Sequence, residues 1–245
     1  MSDYDIDREE LTDAIRLMSD PVKKNSTIIT PDELGRDFFY HIRFEKVKEL
    51  VPNVSRRSAP TEDNTLPRVH VSPSLNDAWN GYSGGGWLLA NKIAQDKKSS
   101  HKNAGYRGGF YIHRVPFRAC LRPNNKLVYD ASFTKEHWLV TYNEMTRVYP
   151  SICVGKLIGE SVTYQPRVNK PPIETTTVVV EVISPDGLYL KDNLLLKKGY
   201  FRYKTSTVNG ITDLMEISKT EFLSVKTVSA AMLSFDNKEV PRFLF

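Results

Sequence analysis

Leu66-Pro67-Arg68-Val69-His70-Val71-Ser72-Pro73-Ser74-Leu75-Asn76-Asp77-Ala78-Trp79-Asn80-Gly81-Tyr82 is the stretch whose reading organises the rest of the chain. Side chains alternate between the two faces of a strand, so Arg68, His70 and Ser72 share one face and Val69 and Val71 the other. Pro73 has no N–H to give to a ladder and stops the strand. Ser74 is a helix-capping type, and Asn76 to Trp79 behind it predict a short helix. The strand thus ends in a small polar shelf. Beyond it, Gly84-Gly85-Gly86 breaks the helix and Trp87 to Ile93 reads as another short one. Gln95 to Asn103 has no apolar residue and reads as a surface loop.

Upstream, Ile6, Leu11, Ala14, Ile15 and Met18 fall at helical spacing behind a first turn crowded with acids. They predict an amphipathic helix that Pro21 closes. Thr30-Pro31-Asp32-Glu33 predicts a capped helix from Pro31 to about Arg36. Phe38-Phe39-Tyr40-His41-Ile42-Arg43 is a run of strand formers, and Phe44, Val47 and Leu50 suggest a short helix after it, up to Pro52. Residues 53 to 65 read as a loop.

Downstream the texture is β. Strands are expected over Gly109 to Val115, Leu127 to Tyr129 and Trp138 to Tyr142, with turn signals at Pro116, Pro123-Asn124-Asn125 and Asn143. Val148 to Ile158 reads as a strand pair or a bent strand. After the punctuation of Pro166 and Lys170-Pro171-Pro172, Thr175 to Ile183 is a β-branched strand and Ser184-Pro185-Asp186-Gly187 a turn. Val208-Asn209-Gly210-Ile211 is a hairpin signal. Phe222 to Phe245 holds at least one more strand. The fold class is therefore α+β: a mixed, mostly antiparallel sheet core with short inserted helices, a helical N-terminus and a β-rich C-terminal part. The expected divisions are an acidic helical segment over 1–37, an α+β domain over 38–166 that carries the candidate site, and a β-rich region over 167–245, either a subdomain or a continuation of the sheet.

With 245 residues, 40% hydrophobic and 26% charged, the chain has globular composition and enough apolar material for a sizeable core. No apolar run approaches the roughly 18 to 20 residues that a spanning helix needs, and Met1 to Glu10 is acidic where a signal peptide would be basic and then apolar. The expectation is a cytoplasmic protein with no membrane association. Cys120 and Cys153 stand in separate apolar contexts and read as buried hydrophobes in a reducing compartment. Residues 1–40 hold ten acids against five bases, so with +5 overall the remaining residues carry +10. A basic body favours anionic partners such as a nucleotide or nucleic acid, while the acidic N-terminal helix is a candidate handle for a protein partner.

Metal chemistry is not expected. His41, His70, His101, His113 and His137 never recur at helical ligand spacing, and no Cys-x-x-Cys accompanies them. The glycines of 81–86 and 105–109 match no phosphate-loop pattern. What remains is three polar marks on or beside apolar runs: Tyr40-His41-Ile42-Arg43, Val69-His70-Val71-Ser72, and Lys135-Glu136-His137-Trp138. A ring nitrogen or guanidinium can hold a ribose hydroxyl or a phosphate, and a neighbouring hydroxyl takes the next contact. A carboxylate can stabilise an electron-poor sugar carbon as its leaving group departs.

On these residues the chain resembles the ADP-ribosyltransferase-like superfamily over about residues 38 to 160. There a first strand carries His or Arg, a second carries a small hydroxyl or aromatic residue before a short helix, and a later strand or loop carries Glu. Tyr40-His41-Ile42-Arg43 looks like the first motif, Val69 to Ser72 with Ala78 and Tyr82 like the second, and Lys135 to Trp138 like the third. The resemblance implies NAD+ as substrate, cleaved at the nicotinamide–ribose bond, with transfer to a protein or nucleic acid acceptor or to water. His41, Ser72 and Glu136 would be catalytic, and Arg43, Arg68, His70, Tyr82 and Arg114, with Arg107, would contact the dinucleotide. Whether His41 or Arg43 leads the site is open, and Glu144 rivals Glu136 as the acid.

Two further classes fit the residues. His70-Val71-Ser72 resembles one half of a two-histidine phosphoesterase site, for which His41-Ile42-Arg43 and His113-Arg114-Val115 are the available second halves. The basic run Lys97 to Lys102, with Tyr106 and Arg107 beside it and Tyr200, Arg202 and Tyr203 further on, would instead suit a non-catalytic module that binds nucleic acid or a protein partner.

Overall fold

Two sheets meet where Tyr40 pairs with Ser72, and that junction positions the candidate site. The computed structural model describes residues 6–54, 63, 65–81, 109–128, 131–141, 147–167, 170–206, 209–225 and 233–235. Helices α1 (Arg8–Leu17) and α2 (Asp20–Asn25) lead into strand β1 (Ser26–Ile29), helix α3 (Pro31–Leu34) and strands β2 (Phe38–Arg43), β3 (Glu49–Leu50) and β4 (Arg68–Val71). Helix α4 (Leu75–Gly81), strands β5 (Phe110–Pro116) and β6 (Cys120–Pro123), helix α5 (Ala131–Thr134) and strands β7 (His137–Val140) and β8 (Tyr149–Pro150) follow. Strands β9 (Ile152–Arg167), β10 (Lys170–Val182), β11 (Leu188–Lys191), β12 (Leu194–Leu196), β13 (Gly199–Ser206) and β14 (Gly210–Glu216), helix α6 (Lys219–Ser224) and strand β15 (Leu233–Phe235) complete the described chain.

One sheet has four strands in the order β1-β6-β7-β4, the other seven in the order β14-β13-β10-β9-β5-β2 with β15 also on β9. The pair β15–β9 is parallel and the pairs on the main paths are antiparallel, so the protein is α+β around a mostly antiparallel core. The large sheet runs without a break through residue 166, because β9 and β10 are hydrogen-bonded to each other along most of their length. No helix among the described residues is long and apolar enough to cross a membrane.

The layers follow from strand alternation. Phe39 and Val115 of the large sheet face Val69, Val71 and Leu139 of the small one, forming the core between the sheets. The outer face of the small sheet, with Leu121, Trp138 and Val140, is covered by Leu11, Ala14 and Val22 of the N-terminal helices. Across the large sheet, Tyr40, Ile42, Ile112, Val178 and Val180 pack under Leu75, Ala78 and Trp79 of α4 and under Leu188, Leu190 and Leu196 of the β11–β12 hairpin. Each fully buried aromatic of this kind removes on the order of 200 Å² from water, the main driving force for this arrangement.

Local chemistry explains most boundaries. Asp7 and Glu10 form a reciprocal capping box at α1, as do Thr30 and Glu33 at α3, which Gly35 ends in the left-handed conformation at φ 72°. Four expectations are corrected. Pro21 does not end the helical region; it sits in the first turn of α2, where its missing N–H costs nothing. Residues 44–50 are not a helix, because their apolar side chains serve different cores: Phe44 stacks on Phe110 while Leu50 enters the core between the sheets. Leu127 and Val128 do not form a strand; both N–H groups return to the Asn124 carbonyl, and the Asn124 side chain accepts from Lys126 N–H. Pro171 and Pro172 interrupt no strand, lying instead in a register shift of β10 between Lys170 and Ile173.

Gly109, which opens β5, is at φ 65°, and a Cβ there would lie 2.1 Å from the Leu157 carbonyl oxygen. Gly109→Ala is therefore expected to destabilise by roughly 2 kcal/mol or more, since the obstacle is backbone that cannot turn aside. Thermal unfolding checks this; an unchanged midpoint would mean that the strand entry rebuilds itself.

Candidate functional site

Glu136 stands one residue before β7 and His70 one residue before the end of β4; the register opposes His70 to Trp138 and Val71 to His137. Alternation therefore puts His70, Trp138 and Glu136 on one face, with His137 on the other. His70 Nδ1 lies 2.5 Å from Glu136 Oε1, and since a carboxylate oxygen accepts, the ring donates. Trp138 Nε1–H donates to the same Oε1. Glu136 Oε2 has no hydrogen-bond partner among the described residues. Burial would raise the Glu136 pKa, but His70, Trp138 and Arg68 overcome it and hold the carboxyl below its ordinary range. The carboxylate is nearly enclosed, its side chain 7% exposed, whereas the His70 side chain is 37% exposed. With Nδ1 committed, Nε2 is the ring nitrogen that His70 keeps for chemistry.

His41 joins from the other sheet. Its Nδ1 donates to the His70 carbonyl oxygen at 2.7 Å, next to the Tyr40–Ser72 pairing of the two sheets. Burial, with the positive charge of Arg43 beside it, pushes the His41 pKa down to about 4 in spite of that hydrogen bond. The ring is therefore neutral near pH 7, and its Nε2 is an acceptor.

Ser72 occupies a different role from the one expected. Its hydroxyl is buried and donates to the Thr134 carbonyl oxygen at 3.2 Å, fastening the end of β4 to α5 two residues before Glu136. Arg68 is also not open to a dinucleotide. Its guanidinium lies 4.1 Å over the Trp138 ring and 3.1 Å from Asp63, with the Arg68 side chain 0% and the Asp63 side chain 5% exposed. Arg114 faces the wrong way: it opposes Tyr40 in the register, on the face opposite to His41, and pairs with Asp186 while lying over Phe38. Arg43 shares the His41 face by alternation, is partly exposed and meets Glu45 only at 4.0 Å, so it is the arginine available beside the site. Tyr82, Glu144, Arg107 and the run Lys97 to Lys102 lie outside the described residues.

His137 and His113 are structural. The His137 ring packs on Phe39 with Nδ1 donating to the Lys135 carbonyl, and burial lowers its pKa to about 4. His113 is fully buried beside the Glu45 carbonyl and the Ser151 hydroxyl, which leaves no second half for a phosphoesterase at that position. A cleft of about 550 Å³ between the β11–β12 turn and β14 is lined by Lys191 to Leu194 and Asn209 to Leu214 without Gly210, and shares no residue with the His70 site.

The site implies an acid-sensitive fold. Between pH 6.5 and about 4 the unfolded chain protonates His41 and His137 while the folded chain refuses, so stability is fully present above pH 6.5 and falls as pH drops toward 4. The expected loss is on the order of 2 to 3 kcal/mol per histidine. Urea unfolding at about pH 7.5, 5.5 and 4.5 reads it; a midpoint that stays level across the three would contradict this environment for the two rings.

Local alternation could have identified Trp138, two residues beyond Glu136 on the same strand face. Thr134, and Arg36 and Asp192 described below, have no local signal, since their contacts span 57 residues or more. No protein-family model, curated protein or solved structure matches the chain.

Proposed function

We propose that the protein is an ADP-ribosyltransferase-like enzyme that cleaves the nicotinamide–ribose bond of NAD+ and transfers the ADP-ribosyl group to a protein or nucleic acid. The observation that carries this reading is the Glu136 carboxylate: two donors converge on Oε1 and favour its charge, while Oε2 is left unbonded among the described residues beside a partly exposed histidine. A charge fixed in a low-dielectric pocket stabilises positive charge developing nearby far better than one in water. The ribosyl carbon from which nicotinamide departs develops such a charge. His41 Nε2, a neutral acceptor, and His70 Nε2 suit ribose hydroxyls, and Arg43 suits a pyrophosphate oxygen.

The resemblance implies Ser72, Arg68 and Arg114 in this chemistry; their buried or opposite-facing positions leave the work to His41, His70, Glu136 and Arg43. A second reading is favoured by one observation. His70 is much more exposed than Glu136, and a carboxylate that orients a histidine is also the arrangement of a general base acting on a phosphodiester. Release of nicotinamide from NAD+ in the presence of protein and nucleic acid acceptors separates the two. Release above the buffer rate supports the first; hydrolysis of a phosphodiester with NAD+ left intact would replace it by the second.

A further inference from the structure

We propose that the β11–β12 hairpin is the positioning element of the His41, His70 and Glu136 site, with Asp192 at its turn the positioning residue for Glu136. This deepens the reading above and rests on it for its kinetic consequence only.

All three site-bearing segments are tied to this hairpin: through the residues adjacent to His41 and Glu136, and through Arg36 to Pro73, three residues beyond His70. Tyr40, which precedes His41, accepts from the Tyr189 N–H through its phenol oxygen at 2.9 Å. Pro73, which follows Ser72, accepts from Arg36 through its carbonyl at 2.9 Å, and the same guanidinium donates to the Asp192 carbonyl at 3.1 Å while lying 4.2 Å over the Tyr189 ring. Lys135, which precedes Glu136, pairs its ammonium with the Asp192 carboxylate and stands 4.0 Å from that of Asp77 in α4. One short hairpin thus meets β2, the end of β4 and the entry to β7.

Backbone conformation gives the contact a purpose. Lys135 is at φ 47° and Asp192 at φ 39°, both non-glycine residues in the left-handed region. Such residues persist where their surroundings over-determine them, and these two are joined to each other by their own ion pair. Lys135 lies directly before Glu136, so relaxing its φ turns the Glu136 peptide and moves the carboxylate away from His70 and Trp138. Exposed ion pairs contribute little to global stability, and the Lys135 and Asp192 side chains are 41% and 57% exposed. The pair should therefore matter for position and hardly at all for the melting temperature.

The test uses the full chain and two readouts, the tautomer of His70 by ¹⁵N NMR and nicotinamide release from NAD+. Asp192→Ala removes the carboxylate but adds backbone strain; Asp192→Gly removes it and suits the left-handed φ. Both are expected to convert His70 from one Nδ1–H tautomer to a mixture and to slow NAD+ turnover about tenfold; Asp192→Gly should melt close to the parent, and Asp192→Ala lower because of its backbone strain. Asp192→Asn, which keeps an acceptor and tolerates the backbone, should recover most of both. Asp186→Ala breaks the Arg114 pair in the turn before β11 and should change neither. Parental His70 signals in Asp192→Gly, or the same disturbance in Asp186→Ala, would overturn the inference. If the parent releases no nicotinamide, the functional reading falls while the tautomer still decides the positioning role.

Discussion

Glu136→Gln is expected to reduce NAD+ turnover by about 10²- to 10³-fold with the fold intact. The substitution is close to isosteric. A Gln carbonyl oxygen can accept from both His70 Nδ1–H and Trp138 Nε1–H, the two donors that now meet at Oε1. Only the charge disappears, and with it the field that would stabilise a ribosyl cation or a His70 imidazolium. The partners of the carboxylate outweigh its desolvation, so its charge is net favoured in the fold and removing it is expected to cost about 1 kcal/mol. Nicotinamide release measured beside urea unfolding separates the two effects. Undiminished turnover with a normal unfolding midpoint would end the assignment of Glu136 to catalysis.

Arg68→Ala is expected to destabilise by about 3 to 5 kcal/mol, the largest stability change proposed for this protein. Asp63 would be left as an enclosed carboxylate without the guanidinium that now meets it at 3.1 Å through Nη1, while Nη2 donates to its carbonyl at 2.8 Å. The Trp138 ring would lose the cation that covers it, and the void would adjoin the outer core of the small sheet. For a chain of this size, each kcal/mol moves the midpoint by about 2 to 4 °C. The double variant Arg68→Met with Asp63→Leu fills the same volume without charge and should recover most of the loss. A loss below about 1 kcal/mol in Arg68→Ala would mean that water reaches Asp63 and screens the pair.

The two arginine expectations failed for a reason that the chain order cannot express. The resemblance implies dinucleotide contacts for Arg68 and Arg114 because a fork of donors suits phosphate oxygens, and residue type leaves open whether a side chain faces ligand, solvent or a neighbouring ring. For Arg114 the answer lies in register: it opposes Tyr40, so it shares a face with Phe38 and not with His41. For Arg68 the answer lies in Asp63 and Trp138, which enclose it from a loop and from a neighbouring strand. Ser72 was legible as a strand-end hydroxyl but not as a clasp, since its acceptor is a carbonyl 62 residues away.

By itself the sequence determined the elements whose cause is local: the strand that Pro73 stops, the helix that Ser74 caps through Asp77 N–H, the capping boxes of α1 and α3, and the alternation that gives Arg68 and His70 one face and Val69 and Val71 the other. These follow from hydrogen-bond geometry and the two-residue period within a few residues of chain. Only the tertiary structure decided which of the polar marks meet. His70 finds Glu136 across the β4–β7 pairing, His41 reaches the His70 carbonyl where the two sheets touch, and the β11–β12 hairpin ties the neighbours of all three segments. Those contacts depend on strand order and crossing, which are settled by burying several cores at once and so cannot be read from any one stretch.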